Sequence, residues 1–131
     1  MKIEKKIEKW CKDASFVGFA NRRMGHELTQ RMKNNSLDPF FEELDEAFEY
    51  DDLYIVPLVE YLTCRLHTAL LRKDIRQRKE GIWQVWFHIA IEGYYVQTFH
   101  EEFEPLLSEL RTALMPMLHK EYLRNKPAGK E

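Results

Sequence analysis

Apolar residues return every third or fourth position along almost the whole chain, and that spacing leaves little room for anything but helix. Phe16, Ala20, Met24, Leu28 and Met32 step by four, and so do Leu58, Leu62, Leu66 and Leu70. Residues four apart share one helical face, whereas a half-buried strand alternates at every second residue. A helix with one apolar stripe must bury it against a neighbour, so a chain built of such stripes packs helix on helix. Its 131 residues suit one core, since a domain of this size buries roughly two-thirds of its unfolded surface. The expected fold is all-α: a compact single-domain bundle of about five or six helices over residues 1–124, with a kinked C-terminal helix and a flexible tail at 125–131.

Caps and breakers place the boundaries. Ile3, Ile7 and Trp10 with Cys11 mark a short surface helix, and Asp13 or Ser15 can cap a second that Asn34-Asn35-Ser36 ends. Asp38-Pro39 restarts the helix, because Asp accepts from orphan amides and Pro needs no donor at the first helical position. That third helix is predicted over 39–50, with Phe40, Phe41, Leu44, Ala47 and Phe48 inward. Pro57 sets the next start near Val56, and the stripe is expected to run through Ile75 to a stop at Glu80-Gly81, where Gly suits the position past a helix end. Residues 82–96 are rich in aromatic and β-branched residues, which favour a strand. Gln84, His88 and Glu92 are four apart, however, which predicts a helix buried on most sides with that polar stripe as its wet edge. Thr98 and Glu101 resemble a capping box for the last helix, and Pro116 should kink it.

Charge is segregated. From Asp38 to Cys64 there are nine acids and no Lys or Arg, from Arg65 to Lys79 six bases against Asp74 alone, and from Glu80 to Leu110 six acids and no Lys or Arg. A formal net charge of −2 hides these blocks, whose local fields bear on association rather than on fold. The leading expectation is a non-catalytic macromolecule-binding protein: a regulator, an inhibitor or a small subunit of an assembly. Its acidic helical face of Glu42, Glu43, Asp45, Glu46, Glu49, Asp51 and Asp52 would meet a basic partner protein.

Two alternatives come from other residues. His88 with Glu92, and His100 with Glu104, are His-x-x-x-Glu pairs that a helix presents on one face, the geometry of a metal-binding bundle. Arg65, Arg72, Arg76 and Lys79 are spaced to fall along one side of a helix and so to follow the phosphates of a nucleic acid. The pI of 6.2 weighs against that, because nucleic-acid domains are usually far more basic. The aromatic cluster Trp83, Trp86, Phe87, Tyr94, Tyr95 and Phe99 suits a core or a homodimer face.

No glycine-rich phosphate loop, dinucleotide fingerprint or nucleophile elbow occurs, so no catalytic residue and no cofactor is implied. Cys11 and Cys64 lack metal or redox spacing and read as reduced, partly buried thiols, which suits a cytoplasmic location. The apolar runs at 14–20 and 82–96 are too short or too interrupted for a leader or a membrane span, so no membrane partner is expected.

Overall fold

The computed structural model describes residues 2–34, 55–95 and 100–125, with the backbone alone at 55, 92–95 and 100. Among these residues the chain forms five helices and no strand: α1 (Ile3–Cys11), α2 (Ala14–Lys33), α3 (Ile55–Leu70), α4 (Ile75–Tyr95) and α5 (His100–Asn125). The all-α bundle expected from the stripes is what is found. The predicted acidic helix at 39–50, the Thr98 cap and the tail beyond Asn125 lie outside the described residues.

α5 holds the bundle together, packing against α1, α2, α3 and α4. Leu106, Leu110, Leu114 and Leu118 recur every fourth residue along it and are all buried. They meet Leu58, Leu62 and Leu66 of α3 and Ile82, Val85 and Ile89 of α4 in one cluster, where each such side chain contributes roughly 1.5–3 kcal/mol over leaving it exposed. Pro105 and Pro116 lie inside α5, which continues through both. Each lacks an N–H, so the carbonyls of Glu101 and Thr112 lose their ladder donors.

At the first corner Asp13 caps α2, its Oδ1 accepting from the backbone N–H of Ser15 at 3.0 Å and of Phe16 at 3.3 Å. That cap reverses the chain so that α1 packs against both α2 and α5. Trp10 stacks on His119 with centroids 4.2 Å apart and planes at 15°, and Phe16 stands edge-on to His119 at 5.2 Å. Burial in this aromatic corner pushes the His119 pKa down, against an opposing pull from Asp13.

The second corner corrects the sequence expectation. The helix begun at Ile55 does not run to Gly81; it ends at Leu70, and α4 begins at Ile75. Asp74 caps α4 by accepting from the Gln77 N–H at 3.0 Å, and the Arg78 guanidinium donates twice, at 3.1 and 2.9 Å, to the Arg72 carbonyl. Gly81 falls inside α4, where it permits a close crossing: a Cβ there would stand 2.5 Å from the Ala69 Cβ. The two thiols are also corrected, since Cys11 and Cys64 are exposed rather than partly buried. No described helix is long and apolar enough to cross a membrane.

Candidate functional site

Because Gly81 lets α4 close on Ala69, side chains flanking the crossing face one another. Arg65, Thr68, Ala69 and Arg72 follow a single helical face along α3 and just past its end. Arg76, Gln77, Glu80, Gly81, Gln84 and Val85 do the same along α4. Together they line a cleft of about 410 Å³. The four bases expected on one helix are therefore split: Arg65 on α3, Arg72 in the turn, Arg76 and Lys79 on α4. The fold nevertheless gathers Arg65, Arg72 and Arg76 round the same cleft, while Lys79 is not among its lining residues.

Beyond the cleft, charges on α2, α4 and α5 are matched to one another. Arg31 bonds Glu80 at 2.9 Å and Glu27 at 3.0 Å. Arg23 bonds the same Glu27 at 3.0 Å and Glu121 at 3.1 Å, and its guanidinium carbon lies 5.3 Å from the Trp83 ring centroid, within reach of a cation–π attraction. Burial opposes the charge on Arg31, but Glu80 first and then Glu27 outweigh it and hold its pKa above the ordinary arginine value. Glu80, the one carboxylate among the described residues that line the cleft, is thus engaged by a cation from α2. Arg72 and Arg76, which line the cleft, are exposed.

His88 is not at a wet edge. It is 0% exposed, and its pKa falls to about 3 because burial disfavours the imidazolium, with Arg65 and then Arg31 adding repulsion. A site flanked by two guanidinium groups repels a metal cation as well. Glu104 is exposed, the side chains of Glu92 and His100 lie outside the described residues, and among the described residues no three His, Cys, Asp or Glu side chains could hold a metal ion. Of the aromatic cluster, Trp83 and Phe87 are buried, and Trp86 packs partly buried against the core, edge-on to Trp83 at 5.7 Å. The side chains of Tyr94, Tyr95 and Phe99 lie outside the described residues.

The acidic residues Glu42, Glu43, Asp45, Glu46, Glu49, Asp51 and Asp52 also lie outside the described residues. Sequence reasoning found the cleft arginines and placed Gln84 on a polar stripe with His88 and Glu92, but missed Thr68 and Gln77 beside those arginines and Arg31 behind Glu80. Nothing local signals those three, because only the crossing of α3 and α4 and the packing of α2 bring them together. No protein-family model matches this chain, and neither does any curated protein or solved structure with which it was compared.

Proposed function

We propose that this chain is a binding protein that captures an anionic macromolecule in the cleft between α3 and α4. One observation carries the reading: Arg72 and Arg76, both exposed, line a single concave site beside Arg65, whereas the guanidinium groups of Arg23 and Arg31 are consumed by Glu27, Glu80 and Glu121. Cations gathered in a concavity repel one another in the free protein, and an arriving anion relieves that repulsion. Guanidinium groups also suit carboxylate or phosphate oxygens, which they bind through two parallel hydrogen bonds. A basic partner for the acidic stretch at 42–52 is supported by sequence alone; the cleft is supported by sequence and by placement.

Fluorescence anisotropy with labelled polyglutamate and labelled single-stranded RNA tests this directly. At least one probe should bind at low salt. With charge contacts at Arg72 and Arg76, binding should weaken about 7–12-fold between ~50 and ~200 mM salt. The Arg72→Glu/Arg76→Glu variant, altered at two exposed positions, should fold normally and lose about tenfold or more in affinity. If neither polyanion binds the unaltered protein at low salt, the proposal is wrong.

A further inference from the structure

We infer that the partner is an acidic protein segment carrying apolar side chains, seated at the α3–α4 corner; this rests on the cleft reading above and narrows it. Three apolar side chains stand out at that corner: Leu71 is 83% exposed, Ile75 65% and Leu70 42%. A single exposed Leu needs no explanation. Here three fall within six residues, interleaved with Arg72, Lys73 and Arg76. Leu71 and Ile75 each adjoin in sequence an arginine that lines the cleft.

The turn that presents them is tied down at both ends. Asp74 caps α4, and Arg78 holds the Arg72 carbonyl with two hydrogen bonds. A corner fixed in this way keeps its apolar groups out of the core without loss of local order. An apolar knuckle beside clustered arginines is complementary to a segment that alternates carboxylates with apolar side chains. Its carboxylates would enter the cleft, and its apolar groups would cover Leu71 and Ile75.

Two other polyanions fit less well. Single-stranded nucleic acid is held by aromatic stacking as well as by charge, and among the described lining residues none is aromatic. An anionic lipid surface is flat and wants an extended apolar helix face, whereas these cations line a concavity and the apolar groups occupy one corner.

Four probes on the full chain decide the matter: a labelled peptide of alternating glutamate and leucine, polyglutamate of equal charge, single-stranded RNA of equal charge, and phosphatidylserine-containing vesicles. The glutamate–leucine peptide should bind about tenfold tighter than polyglutamate. Leu71→Ser/Ile75→Ser, at exposed positions, should abolish that advantage and leave polyglutamate binding unchanged. Equal affinity for the two peptides, tighter binding of RNA or vesicles, or a preference that survives the double substitution overturns the partner class while the cleft reading stands. Concentration-dependent self-association abolished by the same substitutions, with no peptide preference, would assign the corner to a second copy of this chain and overturn it too. Loss of every polyanion signal removes the cleft reading and this inference together.

Discussion

Two glycines inside helices have opposite meanings, and the difference lies in what surrounds them. Gly25 of α2 has nothing within 4 Å of the place its Cβ would occupy, whereas at Gly81 of α4 the Ala69 Cβ stands 2.5 Å away. Alanine is favoured over glycine in a helix interior by about 1 kcal/mol. Gly25→Ala should therefore raise stability by about 0.5–1 kcal/mol. At Gly81 the same gain opposes a steric cost of about 1–3 kcal/mol, and the neighbouring atom is a short side chain on a packed helix that cannot swing aside. Gly81→Ala should lower stability, and adding Ala69→Gly should recover part of the loss. Urea midpoints with unchanged slopes would establish both signs; a stabilising Gly81→Ala would mean that α3 and α4 do not cross closely. In the sequence Gly81 resembles a helix stop, because a glycine at a crossing and one past a helix end are written alike.

At the level of elements, the chain declares its helices better than its corners. The stripes of α3 and α5 are legible because burial enforces their spacing, and that of α2 is buried at Phe16 and Ala20 but ends on an exposed Met32. Of the two candidate caps, Asp13 and Ser15, it is Asp13 that accepts from the α2 amides. The α3–α4 corner escapes notice for a physical reason. In the sequence Leu66, Leu70 and Ile75 read as one prolonged stripe, and no Gly or Pro marks the turn, although Leu70 and Ile75 face solvent. The usable signal is Asp74 followed three residues later by Gln77, the spacing of a capped helix start. Asp74→Ala should consequently cost about 1 kcal/mol, a fall of a few degrees in Tm at about this chain length. Asp74→Asn should cost less, since an amide oxygen still accepts from the Gln77 N–H. Thermal melts of the two variants check this, and equal losses would show that the hydrogen bond is not what fixes the corner.

Across the whole molecule, charge shows in the sequence as blocks and in the fold as neighbours, and only the second sets its effect. Arg65 at the cleft and Arg31 on α2 come from distant parts of the chain, yet both bear on the buried His88. That meeting is invisible to helical periodicity, which gives His88 a face but no surroundings. Its consequence is a dependence of stability on acid. Unfolded, the imidazole titrates near its ordinary value of about 6.5; folded, its pKa is about 3. Between those values the unfolded chain binds the extra proton, so stability rises with pH. The contribution is complete above the unfolded pKa and drains away as pH falls toward the folded one, by about 2–3 kcal/mol between about pH 6.5 and about pH 4.5. His88→Leu, which fills much of the same space with an apolar group, removes the titration. Urea unfolding across that range should show the parent chain losing stability more steeply than the variant by that amount, with the two curves converging or crossing in acid. Parallel curves would mean that His88 is not held neutral, and that Arg31 and Arg65 do not press on it from α2 and α3.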